Sequence, residues 1–84
     1  MTPPQRTEYA RAVWEHYCTT YGKNVDQMRC DEWRAICKLM DAEVPLRYVL
    51  TGVETCGGKP RSFKFCVPAI EREIVHARRA LRGY

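Results

Sequence analysis

Cysteine and histidine are the residue types in this sequence with the widest chemical repertoire, because both can bind metals and act in nucleophilic catalysis. Zinc sites usually contain close cysteine pairs of the CxxC kind, whereas 11, 6, 18 and 9 residues separate the consecutive cysteines of this chain. The odd number of cysteines, without a secretion signal, indicates free thiols instead of disulfides. We therefore expect no metal site and no cofactor on these side chains: Cys18, Cys30, Cys37, Cys56, Cys66, His16 and His76.

Catalysis by a serine, cysteine or metal enzyme needs a nucleophile, a base and an orienting group held together, and no motif here groups them. Gly57-Gly58-Lys59 lacks the GxxxxGK[ST] pattern of a phosphate loop, and no apolar strand precedes it. Glu71 and Glu73 have the spacing of an ordinary helix face. The sequence therefore predicts a protein that is not an enzyme and that functions by binding.

Positive charge is concentrated at the C-terminal end of the chain. Residues 1–58 contain seven Lys/Arg and eight Asp/Glu, whereas residues 59–84 contain seven Lys/Arg and only two Asp/Glu. Such a basic segment attracts phosphates, and exposed aromatic side chains beside it can stack on unpaired bases. The candidate binding residues for nucleic acid or a protein partner are Lys59, Arg61, Phe63, Lys64, Phe65, Arg72, Arg78, Arg79 and Arg82.

A second interpretation of the same segment stays open. Phe63 and Phe65 are also well placed to close a hydrophobic core, and arginine-rich helix surfaces are commonly only solvated. The sequence does not decide whether these two aromatic residues are core or stacking residues.

The elements that position these residues follow from hydrophobic spacing, which is helical along most of the chain. For the first helix, Thr7 is a candidate N-cap and Gly22 a candidate C-terminal stop. For the second helix, Asp26 or Asp31 is a candidate N-cap. Gly52 inside the third helix favours close packing of a neighbouring backbone. We predict four helices: the first over about residues 5–21, the second ending near Asp41, the third after Pro45, and the last from Pro68 to Arg82-Gly83, with inward residues Ile70, Ile74, Ala77 and Leu81.

The linker between the third and fourth helices, Cys56 to Ser62, has the glycines, proline and cations of an exposed basic loop. Ser62 is a candidate cap for a short turn over residues 63–66, although the alternation of residues 62–67 also fits a short extended segment. The expected fold is all-α, a compact four-helix domain with short connections that spans residues 1–84. We expect Trp33, Ile36, Leu50 and Ile70 near the centre of its core.

The lengths of the apolar segments limit the cellular locations that are consistent with this sequence. No apolar run approaches the roughly 20 residues that a membrane-spanning helix needs, and residues 1–6 lack the apolar region of a signal peptide. We therefore expect a cytoplasmic protein without a membrane partner.

Four segments together resemble the helical domain shared by DnaD-type primosome proteins and related phage and plasmid replication proteins, over about residues 14–75. They are Tyr17-x3-Tyr21-Gly22-Lys23, Glu32-Trp33-x2-Ile36, Val44-Pro45-Leu46-x2-Val49-Leu50-x-Gly52-Val53-Glu54 and Phe63-x-Phe65-x2-Pro68-Ala69-Ile70. The resemblance implies a role near DNA replication and single-stranded DNA binding by a Tyr-x3-Ile-x3-Trp motif. Phe65 stands near the tyrosine position, Ile70 near the isoleucine with one extra residue between, and Ile74 where tryptophan is expected.

Two functions are consistent with these features. The first is a small non-enzymatic nucleic-acid-associated protein of phage or plasmid type, which binds DNA, single-stranded DNA included, through its basic C-terminal third. The alternative is a protein-interaction module, such as a phage-encoded inhibitor of the anti-CRISPR kind, which binds an acidic surface of a host complex. The sequence leaves homo-oligomerisation open in both cases.

Overall fold

Four α-helices and one turn of 3-10 helix make up the part of the chain that the structure describes. The computed structural model describes the backbone of residues 1–82 and the side chains of residues 1–80, so the predicted roles of Leu81 and Arg82 side chains and of Gly83 lie outside the described residues. No strand occurs in that part of the chain, which confirms the all-α, four-helix fold. The elements are α1 (Pro3–Tyr21), α2 (Cys30–Asp41), α3 (Leu46–Thr55), the 3-10 turn (Phe63–Cys66) and α4 (Val67–Arg82).

The start of α1 differs from the prediction. Thr2, not Thr7, is the N-cap, because the Gln5 backbone N–H donates to Thr2 Oγ1 (3.4 Å) and the Thr2 N–H donates to Gln5 Oε1 (2.9 Å). This reciprocal pair satisfies two N–H groups that the helix start leaves unpaired, and Pro3 suits the first helical position because it has no N–H. Thr7 lies within the helix, where its hydroxyl donates to the Pro3 carbonyl. At the other end, Gly22 adopts a left-handed φ of 64°, as predicted.

The first turn of α2 is held by acidic side chains from inside the helix. Arg29 occupies the N-cap position without a side-chain cap, so the prediction that Asp26 or Asp31 caps α2 is wrong. Glu32 Oε1 accepts from the Arg29 N–H (3.1 Å), and Asp31 Oδ1 accepts from the Glu32 N–H (3.0 Å). Negative side chains in this turn also complement the positive end of the helix dipole. The helix ends at Asp41, as predicted.

Side chains from all four helices and the 3-10 turn build one hydrophobic core. Ile36 and Ile70 are fully buried, as predicted. The same prediction is wrong for Trp33, which is 46% exposed, and for Leu50, which is only partly buried. The residues with the largest fully buried side chains are Tyr17, Phe63, Ile36, Ile70, Val13, Val49 and Val53.

Two tyrosines of α1 connect this helix to distant parts of the chain by hydrogen bonds. The hydroxyl of Tyr9 donates to the Val44 carbonyl at 2.8 Å, and that of Tyr21 donates to the Val53 carbonyl. Burial raises the pKa of Tyr9 to about 12. Because a buried hydroxyl without a partner is unfavourable, these bonds allow bulky polar side chains to lie in the core.

Gly52 is the point of closest approach between α3 and α4. A Cβ atom at this position would lie 2.5 Å from Ile70 Cγ1 and 2.6 Å from Ile70 Cα, closer than side chains tolerate. The prediction that Gly52 permits close packing is therefore confirmed. This contact sets the position of α4, which carries much of the predicted binding surface.

Candidate nucleic-acid interface

The three predicted arginines that the structure describes on α4 are exposed, but they do not share one side of the helix. Arg72 and Arg79, seven residues apart, lie on the same side, whereas Arg78 lies on another side and lines a concavity with Val44 and Ile74. We call Arg72 and Arg79 the arginine face of α4. Among the described residues, no carboxylate lies within 4.0 Å of any of them. Their charge is therefore available to an external anion.

Arg61 belongs to a different part of the surface. It lines a cleft of about 180 Å³ together with Lys23 and Arg29, which come from the connection between α1 and α2. We call these three cations and the space between them the cationic cleft. The amides of Asn24 and Gln27 also line the cleft. The structure thus brings one predicted residue together with two cations that lie more than 30 positions earlier in the chain.

The segment around Arg61 is fixed at both ends by buried hydrogen bonds. On one side, the Tyr17 hydroxyl donates to the Pro60 carbonyl at 3.5 Å. On the other, Glu32 Oε2 accepts from the Phe63 backbone N–H at 3.1 Å. In the loop predicted to be exposed, Cys56 to Ser62, the exposed residues are Gly57, Gly58, Lys59 and Arg61. Cys56 is partly buried, and the prediction is wrong for Pro60 and Ser62, which are buried. These anchors hold the Arg61 backbone in place over the cleft.

Glu32 is the buried carboxylate that joins α2 to the 3-10 turn. One of its oxygens accepts from the Arg29 N–H and the other from the Phe63 N–H. Ser62 occupies the N-cap position of the turn, but its buried hydroxyl has no hydrogen-bond partner, so the prediction that Ser62 caps the turn is wrong. Burial, and after it the negative charge of Glu32, raises the pKa of Tyr17. Sequence patterns gave no sign of this role, because Phe63 lies 31 residues after Glu32 in the chain.

Replacement of Glu32 by alanine tests this connection. The Phe63 N–H would lose its acceptor inside the protein, so we expect the free energy of unfolding to fall by about 1 to 3 kcal/mol. Urea denaturation measures the change, and Glu15→Ala on the exposed side of α1 is the matched control. Equal stability of the two variants would show that Glu32 does not hold the 3-10 turn.

The two phenylalanines of the predicted site have opposite environments. Phe63 has no exposed surface and packs edge-on against Tyr17, with ring centroids 5.7 Å apart, so it is a core residue and cannot stack on a base. Phe65 is 52% exposed, and the ammonium of Lys64 lies 5.6 Å from its ring centroid. Lys64 also pairs with Asp31 at 3.5 Å. Of the two, only Phe65 is available to a planar ligand.

Lys23 and Arg29 were not among the predicted binding residues, because the prediction compared net charge between segments of the chain. Residues 1–58 contain nearly equal numbers of basic and acidic residues, but the fold decides which of these charges lie close together. Asp41 pairs with Arg6 at 3.1 Å and Asp31 with Lys64 at 3.5 Å, whereas Glu32 lines the cleft beside Lys23 and Arg29. Only the folded arrangement separates these charges, and no local sequence signal marks the cationic cleft.

The cysteines are placed for packing more than for reaction. All five are free thiols, of which Cys18 and Cys66 are buried and only Cys30 is exposed. Burial raises the pKa of the Cys18 thiol and raises that of Cys66 to about 12, which suppresses the thiolate that nucleophilic chemistry requires. In the described part of the chain, no group of three or more His, Cys, Asp or Glu side chains is arranged to hold a metal ion. Nor does any helix there have the length and apolarity to span a bilayer.

Comparison with known proteins adds no assignment to this geometry. The chain matches no protein-family model, no curated protein and no solved structure.

Proposed function

We propose that this protein binds single-stranded DNA, and that it acts by binding instead of by catalysis. The observation that carries the proposal is the cationic cleft, where Lys23, Arg29 and Arg61 from separate segments line one concavity. Glu32 also lines this cleft, where its carboxylate oxygens accept from the Arg29 and Phe63 N–H groups. Among the described residues, no carboxylate lies within 4.0 Å of the three cationic groups themselves. Guanidinium groups suit phosphates because they donate parallel hydrogen bonds to two oxygens.

Two further features outside the cleft support this proposal. The arginine face of α4 supplies further cations for backbone phosphates. Phe65 offers an exposed ring on which an unpaired base can stack, and this preference for unpaired bases favours single strands over duplexes. The buried thiols, with their raised pKa values, are poorly suited to nucleophilic catalysis.

Charge reversal tests the proposal. We expect Arg29→Glu combined with Arg61→Glu to weaken binding to a labelled 20-nucleotide single strand by about tenfold or more. Each lost phosphate contact should also lower the salt slope of log K by about 0.7. Fluorescence anisotropy at several salt concentrations measures both quantities. Arg72→Glu combined with Arg79→Glu tests the arginine face separately.

The matched control carries the same change in net charge at another place. Arg11 and Arg47 are exposed on α1 and α3, outside the cleft and the arginine face, so Arg11→Glu combined with Arg47→Glu should weaken binding by less than about threefold. If this control weakens binding as much as the cleft variant, only overall charge matters and the cleft is not a site. A duplex that binds more tightly than the single strand would contradict the role of Phe65.

A further inference from the structure

A groove of about 540 Å³ lies between α2 and α4, separate from the cationic cleft. We call it the α2–α4 groove. It exists because α2 packs on α1 and the 3-10 turn, while α4 packs on α3 and the same turn. The two helices meet the 3-10 turn side by side and leave the space between them uncovered.

The groove continues along α4. A second concavity of about 310 Å³ shares Ala42, Val44 and Ile74 with the first and extends it to Arg78. From Val67 to Arg78 the helix advances by about 16 Å, at 1.5 Å per residue. This length matches about three turns of a second helix.

The floor of the groove is apolar. Leu39 and Val44 form its buried part, and Ala35, Val67 and Ile74 are partly buried at its sides. Such a floor offers no donors to phosphate oxygens, whereas it matches the apolar stripe of an amphipathic helix. A protein helix fits this groove better than a nucleic-acid backbone does.

The rim along α2 carries positive charge. Arg34 and Lys38 are exposed, line the groove and lie four residues apart, on one edge of the helix. No carboxylate of the described residues lies within 4.0 Å of either. On the opposite rim, Glu71 and Arg78 offset each other, and Lys64 at the end of the groove is already paired with Asp31. Glu43 lines only the extension of the groove, beyond Arg34 and Lys38. The α2 edge of the groove therefore favours a ligand that carries negative charge.

We propose that the α2–α4 groove binds an acidic amphipathic helix of a protein partner. About three turns of that helix lie along α4, with apolar residues at i, i+3, i+4 and i+7 on Leu39, Val44 and Ile74. Its carboxylates face Arg34 and Lys38. This interaction is independent of DNA binding, because the groove shares no lining residue with the cationic cleft.

The test uses a display library of 15-residue helical peptides. Peptides are selected for binding to the whole protein, and their enrichment is compared with that on the Ala35→Trp variant. Ala35 lines the groove, so an indole there fills the space that a bound helix needs. We expect the enriched peptides to have a helical apolar period and a net negative charge. The best of them should bind the Ala35→Trp variant about tenfold more weakly or worse. Ala80→Trp, on an exposed position of α4 outside the groove, should leave the affinity unchanged.

Charge exchange provides a second readout that does not depend on the tryptophan variant folding. Arg34→Glu combined with Lys38→Glu should weaken the acidic peptide, and replacement of the peptide's facing glutamates by lysine should restore binding. Amide shifts in ¹⁵N spectra should map to the groove. The proposal is overturned if no peptide is enriched over the Ala35→Trp variant, if the enriched peptides lack acidic residues, or if the shifts lie elsewhere. It is also overturned if a single-stranded oligonucleotide competes for the same amides.

Discussion

Truncation of Phe63 to alanine is expected to lower the free energy of unfolding by about 3 to 5 kcal/mol. Phe63 has no exposed surface, and its ring meets the Tyr17 ring at an interplanar angle of 89°. The cavity left behind would lie beside the Tyr17 ring, between α1 and the 3-10 turn. Because a domain of this size has a total stability of only about 5 kcal/mol or somewhat more, the variant should be largely unfolded at physiological temperature.

Phe65 gives a control of the same residue type, two positions further along. It is half-exposed, so Phe65→Ala should change stability by less than about 1 kcal/mol. Urea denaturation followed by far-ultraviolet circular dichroism compares the two variants. The same pair separates stability from function, because only Phe65→Ala should yield a folded protein with weakened oligonucleotide binding. Similar unfolding midpoints for the two variants would contradict the burial of Phe63.

The second large effect is expected for Gly52→Val. A single Cβ atom at this position already overlaps Ile70, with separations of 2.5 to 2.7 Å that include two backbone atoms. A backbone cannot rotate away as a side-chain end can, so α3 and α4 must move apart. We expect a loss of at least about 3 kcal/mol, at the upper end of overpacking effects. The melting temperature should fall by about 12 °C or more.

Thr51→Val introduces the same side chain at the neighbouring position of α3. Thr51 is exposed, so this variant should stay within about 0.5 kcal/mol of the parent protein. Differential scanning calorimetry of both variants gives the comparison. A Gly52→Val protein as stable as the Thr51→Val protein would mean that α4 does not cross α3 at Gly52.

The cationic cleft and the α2–α4 groove make separate demands on the surface. The cleft depends on Arg29 and Arg61, whereas the groove depends on Arg34, Lys38 and its apolar floor. The two proposals can therefore fail independently. Loss of oligonucleotide binding in the cleft variant with peptide binding intact, and the reverse in the groove variant, would establish two binding surfaces on one small fold.

The amino-acid sequence by itself determined the local structure of this protein. Helical spacing of apolar residues predicted four helices, and glycine at position 22 predicted the end of α1, because each depends on a few neighbouring residues. A glycine inside the third helix also predicted close packing at Gly52, although only the fold shows that Ile70 is the neighbour. The helix starts were harder to predict. Thr2 and Thr7 are both capable caps, and the reciprocal bond with Gln5 decided between them.

The tertiary structure alone decided which side of each element is covered and which distant charges meet. Phe63 and Phe65 are only two positions apart in the sequence, yet the first is buried against Tyr17 and the second is half-exposed. Trp33 has the spacing of a core residue, yet 46% of its surface is exposed. Arg61 meets Lys23 and Arg29 because Tyr17 and Glu32 anchor the adjoining Pro60 and Phe63 by hydrogen bonds. Periodicity reports the faces of one helix, whereas a binding surface depends on how several helices are placed against each other.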